Sequence, residues 1–145
     1  MKGYVCKVCQ YVSINGSAPD KCPVCGSPKT AFSEQNAIKT PADPANLSEL
    51  EKKHIPVIVI LEKCGLIEGC TDVHARVGEV LHPMQKEHYI NHIDFYLDRE
   101  FLARIHLTAE KLNPAGALHI KATSGNLAAV ELCSVHGAWI KEVNL

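Results

Sequence analysis

A chain of 145 residues, 46% hydrophobic and 21% charged, is long enough for one ordinary domain or for a small unit beside a compact one. Its net charge of −1 withholds the basic patch that nucleic acid needs in a main partner, and no run nears the roughly eighteen apolar residues that span a bilayer. Seven cysteines is an odd count for a disulfide framework, and no apolar signal region follows Met1-Lys2-Gly3-Tyr4, so the expectation is a cytoplasmic protein with cysteines as metal ligands or free thiols.

The first unit is expected over residues 1–35. Cys6-Lys7-Val8-Cys9 and Cys22-Pro23-Val24-Cys25-Gly26 stand twelve residues apart, a spacing that brings two knuckles onto one tetrahedral ion. The ion then supplies folding energy that so short a segment lacks. Gly26 suits a position that needs positive φ. Spacing alone leaves a zinc ribbon and an iron centre equally open. The flanking residues Tyr4-Val5, Gln10-Tyr11 and Ser27-Pro28-Lys29-Thr30-Ala31-Phe32 resemble rubredoxin, most closely the short module at the end of rubrerythrins. The resemblance implies an iron centre with four thiolate ligands, Cys6, Cys9, Cys22 and Cys25, packed beside Tyr4, Tyr11 and Phe32. Gln10 departs from the family's usual glycine, which costs about 1 kcal/mol if the backbone there is left-handed.

Residues 36–49 read as a linker, with Pro41 and Pro44 among small polar residues. Ser48-Glu49-Leu50-Glu51 has capping-box spacing, so a helical turn leads into Lys52-Lys53-His54. From Pro56 the pattern turns to β. Val57–Leu61 is a β-branched run of the kind a buried strand uses, and 89–97 alternates with mixed faces. Asp98-Arg99-Glu100 turns the chain into 101–107, Asn113–Gly116 is a turn, and three short strands are expected near 117–123, 128–134 and 138–143. The class this predicts is all-β: a small metal knuckle unit followed by an antiparallel sandwich over 50–145.

Within the second unit, Cys133 and His136 stand three apart before Gly137, and His54, His82 and His88 come from two earlier segments. Together they offer four nitrogens and one sulfur, one ligand more than a closed zinc site uses. The stretches Lys53-His54-Ile55-Pro56, His82-Pro83 to His88-Tyr89 and Cys133-Ser134-Val135-His136-Gly137 resemble superoxide reductase, the neelaredoxin and desulfoferrodoxin catalytic domain. That resemblance implies an immunoglobulin-like β-sandwich. It also implies a square-pyramidal iron with His54, His82, His88 and His136 in the plane and Cys133 as axial thiolate. The expected reaction takes superoxide, one electron and two protons to hydrogen peroxide. Lys53 matches the lysine that the family sets beside the open position, where it steers the anion. The family reads Glu-Lys-His and this chain Lys52-Lys53-His54, so either Glu51 reaches in or solvent closes the sixth position. Amides near Ser134 to His136 are expected to hydrogen-bond the sulfur.

Further partners implied are an electron donor such as rubredoxin or an NAD(P)H-dependent reductase, and a second copy of the chain in a dimer or tetramer. Competing readings are a pure electron carrier or redox sensor, and a zinc ribbon on an immunoglobulin-like interaction module. His74, His92, His106 and His119 have no partner at motif spacing and read as surface or strand histidines. Cys64 and Cys70 read either as a disulfide across a small loop or, as a reducing cytoplasm favours, as free thiols.

Overall fold

The computed structural model describes residues 1–61 and 63–145. Three strands make the first sheet: β1 (Gly3–Cys6), β2 (Val12–Ser13) and β3 (Phe32–Gln35), in the order β2-β1-β3. Strand β4 (Ile38–Lys39) falls inside the expected linker and pairs in parallel with the last strand of the chain. Helix α1 (Glu49–His54) carries the expected capping box: Ser48 Oγ accepts from the Glu51 amide, and Glu51 accepts from the Ser48 amide at 2.7 Å. It delivers His54 at its C-terminal end.

The sandwich has two layers, antiparallel throughout except for the β4–β11 pair. Strands β5 (Pro56–Leu61), β6 (Thr71–Val77) and β9 (Ala115–Ile120) form the smaller sheet, β5-β6-β9. The larger sheet adds β7 (Ile90–Leu97), β8 (Glu100–His106), β10 (Asn126–Cys133) and β11 (Gly137–Asn144) to β4, in the order β4-β11-β10-β7-β8. Val73, Ala75 and Val77 of the small sheet meet Ile93, Phe95, Leu127 and Ala129 of the large one in a shared core. Strand β5 lies at an edge, with Val59 and Leu61 about half exposed, so its apolar run is less buried than the sequence implies. Strand β6 is not among the expected elements, although Thr71, Val73, Ala75 and Val77 point inward and Asp72, His74 and Arg76 outward in strict alternation. Asp98 and Arg99, both at positive φ, make the expected turn between β7 and β8.

The mixed faces of β7 now have a cause. The large sheet is covered on both sides, by the small sheet and by the N-terminal unit. Tyr96, Ala128, Val130, Ala138 and Ile140 pack with Val5, Tyr11, Val12 and Ile14 in a second core. Burying polar groups there requires partners, and they are present. Tyr96 donates to the Val12 carbonyl at 2.7 Å. Arg104 grips Asp94 through Nε and Nη2 at 2.6 and 2.7 Å while its Nη1 donates to the Cys9 carbonyl at 2.7 Å. Among the described residues no helix is long and apolar enough to cross a membrane.

Candidate metal centres

Two knuckles of the same backbone pattern build the N-terminal centre. Gln10 N–H donates to the Cys6 carbonyl and Cys6 N–H to the Tyr11 carbonyl; Gly26 N–H donates to the Cys22 carbonyl and Cys22 N–H to the Ser27 carbonyl. The corresponding residues Gln10 and Gly26 have φ of 61° and 76°, so the expected left-handed strain at Gln10 is present. Cys6 and Cys25 sulfurs lie 3.7 Å apart, Cys9 and Cys22 sulfurs 3.5 Å. A tetrahedron with metal–sulfur bonds of about 2.3 Å has edges of about 3.75 Å, so the four thiols fit one ion. Burial pushes the Cys9 thiol up, whereas Ser27, with its hydroxyl 3.1 Å away, holds the exposed Cys25 thiol down at about 6. Tyr11 meets Phe32 edge-on and stacks on Tyr96, which seats the centre against the sandwich.

Four elements build the second centre. α1 supplies His54. The turn after β6 supplies His82, and Gly78 permits that turn: at φ 89°, a Cβ would lie 2.7 Å from the Lys53 carbonyl oxygen and 2.2 Å from that of Val80. The tight turn 85–88 before β7 supplies His88, and the hairpin joining β10 to β11 supplies Cys133 and His136. All five donor atoms lie within 4.8 Å of one another. His54 Nδ1 is bound to the Leu50 carbonyl and His82 Nδ1 to the Pro83 carbonyl, both at 2.7 Å. This fixes each ring with Nε2 facing inward as a free lone pair. His136 instead presents Nδ1, 3.1 Å from His54 Nε2. That separation is the edge of a square with bonds of about 2.1 Å, shorter than a tetrahedral edge. Cys133 Sγ lies 3.4 Å from His82 Nε2 and 3.7 Å from His136 Nδ1. His88 Nε2 is buried without any hydrogen-bond partner, an orphan that a metal would satisfy. Burial pushes His54, His82 and His88 toward the neutral, ligating form, His82 down to about 4.

The sulfur receives the amides of Val135 and His136 at 3.5 and 3.4 Å, whereas the Ser134 amide goes to the Tyr89 carbonyl. His54, His82 and Cys133 are buried; His88 and His136 are half-buried, so the centre opens to solvent on their side. Exposed Lys53 stands near enough that its charge helps push His88 down, after burial and His136. The Glu51 carboxylate is committed to its cap and to the Ala42 amide rather than to the centre, and the Lys52 ammonium pairs with Glu49. A residue the sequence did not disclose is Lys39. Its ammonium donates to the His136 carbonyl at 2.7 Å and lies 5.2 Å from the centre of the Trp139 ring, which itself stacks on His54. His74, His92 and His106 stand apart from both donor sets.

The family model of desulfoferrodoxin matches residues 46–142. The chain belongs to the desulfoferrodoxin family. Residues 4–33 match the rubredoxin-like domain of rubrerythrin, consistent with the knuckle geometry. A desulfoferrodoxin of Desulfarculus baarsii is 30% identical over 141 residues, spanning 96% of this chain and 94% of its own. Among solved structures, superoxide reductase from Nanoarchaeum equitans superposes with a TM-score of 0.59 at 28% identity, covering 74% of this chain and 99% of that one. Reduced superoxide reductase (neelaredoxin) from Archaeoglobus fulgidus gives 0.58 at 27% identity, over 75% and 98%. The two-layered sandwich is therefore the fold of this family. The family's second module here is of the rubredoxin type, with Cys22 and Cys25 separated by two residues.

Proposed function

We propose that this chain is a superoxide reductase, converting superoxide, one electron and two protons to hydrogen peroxide at an iron held by His54, His82, His88, His136 and Cys133. The observation that carries the reading is a cluster of four imidazoles and one thiol within 4.8 Å, with square rather than tetrahedral spacing between His54 and His136. Iron bound there would supply the single electron, and iron on Cys6, Cys9, Cys22 and Cys25 would supply a one-electron reservoir. The chain's own residues do the rest. Carbonyls of Leu50 and Pro83 hold two rings in the ligating tautomer. Two amides support negative charge on the Cys133 sulfur. Lys53, exposed on the last turn of α1, draws a small anion toward the open side and is the residue best placed to organise protonating water.

In this reading residues 1–35 are the electron-transfer unit, 50–145 the catalytic unit, and 36–49 the connection. Rubredoxin or an NAD(P)H-dependent reductase delivers the electrons, in the cytoplasm, to a dimer or tetramer. Metal content with visible spectra before and after reduction, followed by stopped-flow mixing with superoxide, tests it. Two irons per chain, a thiolate-to-iron band lost in Cys133→Ser, and peroxide formed without dioxygen are expected. A colourless zinc protein, or dioxygen evolved alongside peroxide, overturns it.

A further inference from the structure

We propose a third metal site, for a borderline-soft divalent cation of the zinc type, formed by Cys64, Cys70, His119 and Asp72 on the outer face of the small sheet. The donor atoms of Cys64, Cys70 and His119 lie within 4.8 Å of one another. His119 Nδ1 is 3.1 Å from Cys64 Sγ and 3.5 Å from Cys70 Sγ. Bonds of about 2.1 Å to nitrogen and about 2.3 Å to sulfur, at a tetrahedral angle, put those atoms about 3.6 Å apart, which Cys70 meets and which Cys64, on the connection, reaches by moving outward by about 0.5 Å.

Register explains the convergence. Asp72 on β6 and His119 on β9 are cross-strand partners, so their side chains leave the same face side by side. Cys70 precedes Asp72 by two residues and shares that face. The connection from β5 to β6 then lays Cys64 over it. The fourth ligand is marked independently. Asp72 Oδ1 is buried and accepts no hydrogen bond; it lies 3.9 Å from His119 Nδ1, and His74 Nε2, at 3.2 Å, lacks hydrogen-bonding geometry. An orphaned carboxylate oxygen next to the imidazole of this cluster calls for a cation. Two thiolates and one imidazole supply three positions, a small turn of the Asp72 side chain brings the fourth, and the thiolates select zinc over magnesium or calcium. Such an ion would pin the connection to the sheet and add its binding free energy to the fold. The proposal does not depend on the reaction at the iron.

The test is anaerobic titration of cobalt(II), a spectroscopic stand-in for zinc, into the full chain with both irons loaded and reduced. One equivalent is expected to bind with a thiolate-to-cobalt charge-transfer band and the strong visible bands of a tetrahedral site, and zinc should displace it. Iron content should stay at two per chain throughout. Cys64→Ser, on the accessible connection, and His119→Gln, on the sheet, should each bring the tetrahedral bands from one equivalent to none while superoxide reduction is unchanged. Absence of the bands in the unmutated protein, their survival in both variants, or a Cys64–Cys70 disulfide in protein kept reduced would overturn the proposal.

Discussion

Replacing Arg104 with leucine removes the only guanidinium that holds together Asp94 of β7 and the Cys9 carbonyl of the first knuckle, among the described residues. Both members of the Arg104–Asp94 pair are buried, with side chains 4% and 2% exposed. Burial already pushes the Asp94 carboxyl up, against two guanidinium hydrogen bonds, so losing them leaves an uncompensated buried acid. Breaking such a pair costs about 3–5 kcal/mol. For 145 residues, with an unfolding entropy of about 2.1 cal/mol/K per residue, that is a fall in Tm of roughly 10–16 °C. The assay is thermal and denaturant unfolding, followed by circular dichroism and by the visible band of the four-thiolate iron centre. That band should fade first, because Cys9 loses its anchor. Arg104→Leu with Asp94→Leu should recover most of the loss, since no charge is then stranded. A loss below about 1 kcal/mol, or a double variant no better than the single, refutes the reasoning.

Lys53→Ala should slow the second-order reaction with superoxide by about threefold to tenfold and leave the iron spectrum intact, with added salt slowing the unmutated protein more than the variant. Gln10→Gly should relieve the left-handed strain at φ 61° and stabilise the chain by about 0.5–1 kcal/mol, read from the denaturant midpoint. Glu131 is fully buried with both carboxylate oxygens unpartnered, and burial holds its carboxyl well above the usual range. The folded chain thus keeps a proton that the unfolded chain releases above about pH 4.5, so this contribution to stability is full below that pH and drains as pH rises. Glu131→Gln should remove the drain: the variant's Tm advantage should be larger at about pH 8 than at about pH 5, and equal gains at both would contradict it.

What the sequence disclosed and what it hid divide along contact distance. Cys6-x-x-Cys9, Cys22-x-x-Cys25, Cys133-x-x-His136 and the Ser48–Glu51 cap are local, so their geometry is written in spacing. The strand around His74 hid because its outward Asp72, His74 and Arg76 look like a loop until the inward residues are set against a core. Lys39 hid because β4 is two residues long and its partner Trp139 lies near the other end of the chain. His119 looked solitary for the same reason: its neighbour Asp72 is supplied by strand register, and Cys64 and Cys70 are spaced unlike any knuckle.

A sheet covered on both faces constrains how this chain can be recombined with its relatives. Exchanging residues 1–35 for another redox module would strip cover from Tyr96, Val130 and Ile140, and would leave Arg104 with no Cys9 carbonyl to hold. A transplanted module must therefore bring an apolar face and a correctly aimed carbonyl, as well as its own metal ligands. Sequence joining alone gives a chimera with a wet, sticky sheet. Side chains on the outer side of β7 and β10 therefore answer to the knuckle unit they meet, rather than to the metal centre at the end of the sandwich.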